Sequence, residues 1–146
     1  MRNALPTVIV RGAGDLATGV AWRLHRCGFP LLVLELETPL AIRRRVAFAR
    51  AVLDGRCEVE GVEARRVDQP VLARLDWVPV LVDAEGRSIA TMRPQVVVDA
   101  RMTKSANDTL ADQAPLVVGL GPGFEVGRHC HRIIETQRGH FLGRVL

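Results

Sequence analysis

Gly12-Ala13-Gly14-Asp15-Leu16-Ala17 is spaced as GxGxxA, and such a run does its chemistry through the main chain rather than through a side chain. Gly12 allows a tight turn, Gly14 lets backbone amides approach a phosphate with no Cβ in the way, and Ala17 permits close packing of helix on strand. The start of a following helix adds partial positive charge. Asp15 competes, because a carboxylate in the first turn can occupy the anion site itself, repel a pyrophosphate or cap the helix. A phosphate site built from Gly12, Ala13, Gly14 and Asp15 and a tight turn that binds nothing are both open readings. The same fingerprint asks for an acidic residue about 20 positions on, to accept from ribose hydroxyls. Glu35 and Glu37 both qualify, against the alternative of an exposed strand end before Thr38-Pro39.

Cations and a second glycine run follow. Arg43, Arg44 and Arg45 open the next helical stretch, where Arg43 and Arg44 could meet a 2′-phosphate or another anion; a solvated helix face is the competing reading. Gly119, Gly121 and Gly123 lie around Pro122 after an apolar run, and they could wall a ligand cleft or form a long structural turn. Asp99, Arg101, Lys104 and Asn107 emerge after a neighbouring strand, and Lys104 and Asn107 are candidate contacts for an anionic ligand. His129-Cys130-His131 offers two imidazoles but no second Cys/His cluster to complete a metal site, so no metal is expected. His140 could act as an acid or base, with an exposed turn histidine as its rival. No catalytic triad can be named from spacing.

The elements that must position these residues alternate. Thr7–Arg11 is a short, β-branched, buried strand running into the first glycine turn, and Leu16, Val20 and Leu24 mark a helix that Gly28 stops. Leu31–Leu36 is a second buried strand, and Ala41–Leu53 carries one apolar face before Gly55. Glu58–Ala64 around Gly61 predicts a hairpin, and Val78–Asp83 followed by Arg87–Thr91 predicts another, so a small antiparallel insertion is expected at about residues 56–92. Strands at Gln95–Ala100, Leu116–Leu120 and Arg132–Thr136 then restore the alternation, with a helix expected over Ser105–Gln113. The expected fold is α/β: a single Rossmann-like domain over residues 1–146, with a mostly parallel sheet, helices on both faces and that β insertion.

Composition narrows the function classes. The 146 residues are 48% hydrophobic and 25% charged, too apolar for disorder, and about one domain long. The net charge is +4, but Lys104 is the single lysine, aromatics are 4% and tyrosine is absent, so stacking platforms for single strands are hard to assemble and no nucleic-acid partner is expected. No apolar run reaches the roughly 18–20 residues of a membrane span, and the N-terminus does not resemble a secretory signal. Three cysteines at no repeated spacing fit a reduced, cytoplasmic setting.

Read in order, RGAGDLATGVAWRLHRCGF, TPLAIRRRVAFARAVLDG, CEVEGVEA, VVVDARMTKSAND, VVGLGPGF and IIETQRGHFLGRVL resemble the accessory proteins of selenium-dependent molybdenum hydroxylases. These are relatives of the maturation factors for xanthine dehydrogenase and carbon monoxide dehydrogenase. The resemblance runs from about Val8 to the C-terminus and covers Gly12, Gly14, Asp15, Arg43, Arg44, Lys104, Asn107, Gly119 to Phe124, Glu135, Arg138, Gly139 and His140. It implies a Rossmann-like fold and a role in preparing the molybdenum cofactor or its host enzyme, with a molybdenum hydroxylase as the expected partner; read together with the glycine loops and cations above, it makes the expected ligand NAD(P) or another phosphorylated nucleotide, or a molybdopterin-type pterin. Members of the family commonly continue beyond the GRVL block, so a short variant, a fragment gene and a subunit whose cleft a partner completes are all open; a homo-oligomer is a separate expectation. Two other functions fit the residues: an NAD(P)-dependent oxidoreductase, and a non-catalytic nucleotide-sensing or scaffolding module.

Overall fold

The computed structural model describes residues 4–40, 47–103 and 108–146. Its strands are β1 (Val8–Arg11), β2 (Leu31–Glu35), β3 (Arg56–Val59), β4 (Val62–Val67), β5 (Val78–Val82), β6 (Val96–Asp99), β7 (Leu116–Leu120) and β8 (Arg132–Ile134). Among the described residues the helices are α1 (Asp15–Arg26), α2 (Arg50–Asp54) and α3 (Arg87–Met92), with a 3-10 turn at Ala111–Gln113. All eight strands join one sheet in the order β3-β4-β5-β2-β1-β6-β7-β8, and every neighbouring pair is parallel except β3 with β4. From β1 the chain builds one side first, with β2 beside it, β3 and β4 at the edge and β5 returning between β4 and β2, and then adds β6, β7 and β8 outward on the other side, so the strand order reverses between β1 and β6. This is an α/β, Rossmann-like sheet, and such a reversal leaves a crevice at the carboxyl ends of the two strands.

Buried apolar strands explain the arrangement. Val8, Val10, Leu31 and Val33 point to one face and pack with Ala17 and Ala21 of α1 and Ala51 and Val52 of α2. Ile9, Leu32, Leu34, Val97 and Val117 point to the other and pack with Ile89 of α3. A parallel strand buried on both faces must be apolar at consecutive positions, as these are. No helix among the described residues is long and apolar enough to cross a membrane.

The segment expected to hold a second hairpin is different. Val78–Val82 is a parallel strand between β4 and β2, and Arg87–Met92 is a helix. The antiparallel insertion is confined to β3 and β4, which turn through Glu60 and Gly61 at φ 44° and 81°, the pair of positive φ values that a two-residue hairpin turn favours. Asp83 decides the other case: its carboxylate accepts the amides of Arg87 at 3.0 Å and Ser88 at 2.8 Å, and also the Ser88 hydroxyl. That satisfies the donors at the start of α3. The helix expected over Ala41–Leu53 is described only as α2, because residues 41–46 lie outside the described residues. Of the helix expected over Ser105–Gln113, the described part contains only the 3-10 turn at Ala111–Gln113.

Candidate functional site

The first glycine bend lies at the reversal of strand order. Gly12 takes φ +106°, and a Cβ there would stand 3.2 Å from the main chain of Ala100, so the bend can approach the end of β6 only as glycine. Gly14 has φ −71° and precedes α1, with nothing within 4 Å of where its Cβ would be. Its missing side chain therefore opens space rather than relieving a clash. Thr18 ties the bend down: its hydroxyl donates to the Ala13 carbonyl at 3.1 Å and accepts the Phe48 amide at 2.9 Å, while the Ala49 amide donates to the same carbonyl at 2.9 Å.

Glu35, the last residue of β2, faces this bend. Its Oε2 accepts the Ala13 amide at 2.9 Å and its Oε1 accepts the Leu36 amide at 2.7 Å. One amide of the glycine bend is thus already taken by a carboxylate. A carboxylate offers about four lone-pair sites, so both oxygens retain capacity for a hydroxyl donor. Glu37 lies beyond the strand, exposed and outside the cleft.

Together these residues wall a cleft of about 400 Å³, within the roughly 300–1,000 Å³ of small-molecule sites. Gly12, Gly14 and Asp15 form one side and Glu35 another, with Leu16, Leu36, Leu40 and Met102 supplying apolar walls. Ala100, Arg101 and Thr103 complete it from the end of β6. Among the described residues, the hydroxyl oxygen of Thr103 is buried without a hydrogen-bond partner.

Beneath the cleft lies a network of charges that sequence reading found only in part. Arg11 and Asp99 are register partners at the ends of β1 and β6, with 1% and 0% of their surface exposed. Arg101 grips Asp99 with two hydrogen bonds, Nε to Oδ1 at 3.0 Å and a terminal nitrogen to Oδ2 at 2.8 Å. Asp108 bridges Arg101 at 2.7 Å and Arg11 at 2.9 Å, and the Thr109 hydroxyl donates to Asp99 at 2.6 Å. Burial alone pushes the Asp108 carboxyl up, but hydrogen bonds and charge from Arg11 and Arg101 outweigh it and hold the carboxyl below its ordinary value. For Arg101, burial pulls downward while Asp99 and Asp108 more than compensate, so its pKa is raised. Arg11 was missed because an arginine closing an apolar run reads as a strand end meeting water.

The second glycine run lies on the same edge of the sheet but does not line this cleft. A Cβ on Gly119 would stand 2.5 Å from the Phe124 ring, and one on Gly121 would stand 2.9 Å from the Met102 thioether. Both glycines thus make room for side chains of the protein itself. Gly123, with φ +95°, belongs to the same turn. Arg43, Arg44, Lys104 and Asn107 lie outside the described residues. Two histidines have structural partners: Nδ1 of His131 accepts the Val117 amide at 2.8 Å, and Nδ1 of His129 accepts the Glu125 amide at 2.9 Å, while His140 is exposed and does not line the cleft. Among the described residues, no group of three or more His, Cys, Asp or Glu side chains could hold a metal ion.

No protein-family model matches the chain, and no solved structure matches it. The chain is similar to YqeB, an uncharacterized protein of Escherichia coli K12, at 47% identity over 143 residues. The match takes in 95% of this chain and 26% of that protein, so the chain spans about a quarter of the length of the curated relative it matches.

Proposed function

We propose that the chain binds a phosphorylated nucleotide or pterin in the cleft between β1 and β6, as an accessory protein in the maturation of a molybdenum hydroxylase. The observation that carries the binding reading is the pairing of Gly14 with Glu35. Gly14 leaves the start of α1 uncovered, where the helix dipole favours a phosphate. Glu35, held by two amides, faces it with lone pairs suited to ribose or pterin hydroxyl and amine donors. Leu36, Leu40 and Met102 offer the apolar surface that a flat heterocycle needs. The maturation role rests on the sequence resemblance.

Among the described residues lining the cleft, the titratable groups are Asp15, Glu35 and Arg101, with no histidine, cysteine or tyrosine to move a proton. That favours binding over an NAD(P)-dependent oxidation. The test is mass spectrometry of small molecules retained by the purified chain, followed by thermal shifts with AMP, ADP, NAD, NADP and molybdopterin. A ligand at about 100 times its Kd adds roughly 2.7 kcal/mol. We expect a nucleotide or pterin to raise Tm, and Gly14→Ala, whose new methyl would enter the cleft, to diminish that rise without lowering the Tm of the free protein. No shift with any of these ligands, or an undiminished shift in both Gly14→Ala and Glu35→Ala, would overturn the reading.

A further inference from the structure

Thr103 brings to the wall of the cleft a hydroxyl that the free protein does not use. Its oxygen is buried and, among the described residues, has no hydrogen-bond partner. Such a group costs free energy in the free protein and recovers it only when a partner arrives. Thr109 shows the contrast. Its hydroxyl, also buried, donates to Asp99 and accepts from both Arg11 and Arg101. The same turn of chain thus satisfies one threonine completely and leaves the other, the one that lines the cleft, with nothing.

Its position in the sheet says which part of a ligand it can meet. β2 and β6 flank β1, one on each side, so their ends stand roughly 10 Å apart at the usual spacing of about 4.8 Å between strands. Glu35 ends β2 on one side of the glycine bend, and Thr103 follows the end of β6 on the other. Gly14 and the start of α1, which follow β1, lie between them. A phosphate held at the start of α1 therefore has a polar side chain to either side. A mononucleotide whose sugar meets Glu35 ends at that phosphate and leaves Thr103 unmet. A ligand that continues through its phosphate into a second polar half reaches both.

We propose that the ligand of this cleft is phosphate-bridged, of the dinucleotide class, and that the Thr103 hydroxyl hydrogen-bonds the half beyond the phosphate. This rests on the binding reading above and adds to it the extent of the ligand and a residue that selects for it. Rotation about the Cα–Cβ bond exchanges hydroxyl and methyl between staggered positions. At Thr103 that rotation breaks no hydrogen bond among the described residues, because none is made there. The hydroxyl then donates to the ligand or accepts from it.

The test compares AMP with NAD on the whole chain by titration calorimetry, beside melting curves of the free protein. NAD should bind more tightly than AMP. Thr103→Val keeps the shape and removes the hydroxyl. It should weaken NAD about three- to tenfold, the worth of one hydrogen bond, leave AMP unchanged, and hold or raise the Tm of the free protein. Thr103→Ser should keep both wild-type affinities. A lower Tm for free Thr103→Val would make the hydroxyl structural and overturn the proposal, and so would equal effects of that variant on AMP and NAD. If AMP binds and NAD gains nothing over it, the proposal fails while the binding reading stands. If neither binds, the proposal is overturned, and the binding reading is decided separately by ADP, NADP and molybdopterin.

Discussion

Glycine in this protein serves two physical needs, and the difference is measurable. Gly12 and Gly119 are glycines because a Cβ has nowhere to go: one would meet the Ala100 main chain in a left-handed conformation, the other the Phe124 ring. Gly12→Ala should therefore destabilise the fold by about 1–3 kcal/mol through backbone strain, and Gly119→Ala by about 1–3 kcal/mol through overpacking. Gly14→Ala should leave stability in place and act on the ligand alone, since its Cβ would point into open space. Denaturant midpoints for the three variants separate these cases, and equal losses in all three would contradict the assignment. A string of glycines in sequence carries no sign of which kind each is, so Gly119, Gly121 and Gly123 could be read as a ligand wall. Only the approach of Phe124 and Met102 shows what two of those gaps are for. Glu35 was legible because the fingerprint sets its distance from Gly12, whereas its capture of the Ala13 amide depends on the register of β2 against β1.

At the level of elements, the ends of β1 and β6 are joined by charge rather than by apolar packing. Asp99 is fully buried and accepts from both Arg101 and Thr109. Asp99→Asn would leave the Arg101 guanidinium without its two-point partner while Asp108 still pairs with it, so a loss of about 1–3 kcal/mol is expected. Urea titration of the variant measures it, and a loss below about 1 kcal/mol would mean that the network behaves like a surface pair. The regular strands β1, β2, β6 and β7 were readable because burial on both faces imposes unbroken apolar runs. The hairpin expected over residues 78–91 failed for a related reason. Strand, turn and strand share their local signals with strand, cap and helix, and the choice falls to Asp83, whose carboxylate binds amides four and five residues ahead.

For the molecule as a whole, the sign of the pH response follows from the same network. Asp108 and Asp83 both lie below their ordinary value near 3.8, the first through Arg11 and Arg101 against the opposing effect of burial, the second through Ser88 and Arg87 against the same opposition. A carboxyl whose folded value is depressed stabilises the protein above its unfolded pKa, and that stability is lost as pH falls through the folded value. These two carboxyls should make stability decline below about pH 4, and His25, held below its ordinary 6.5 by burial and the Arg26 charge, should add an earlier, shallower decline below about pH 6.5. In Asp108→Asn the carboxyl decline should be shallower, from a lower starting point. Denaturation curves across this range check both statements, and an unchanged acid limb in the variant would show that Asp108 plays no part in it.

The sequence by itself determined the α/β class and the glycine bend ahead of a helix, and narrowed the facing acid to Glu35 or Glu37, because each is written in local spacing: strand burial in apolar runs, helix period in every third and fourth residue, the tight turn in its glycines. The tertiary structure decided what long-range contact alone can decide. It placed β6 beside β1, buried Arg11 against residues 88 and more positions away, and filled the second glycine run with Phe124 and Met102. Those outcomes depend on which strands become neighbours and in what register, and no window of adjacent residues records that.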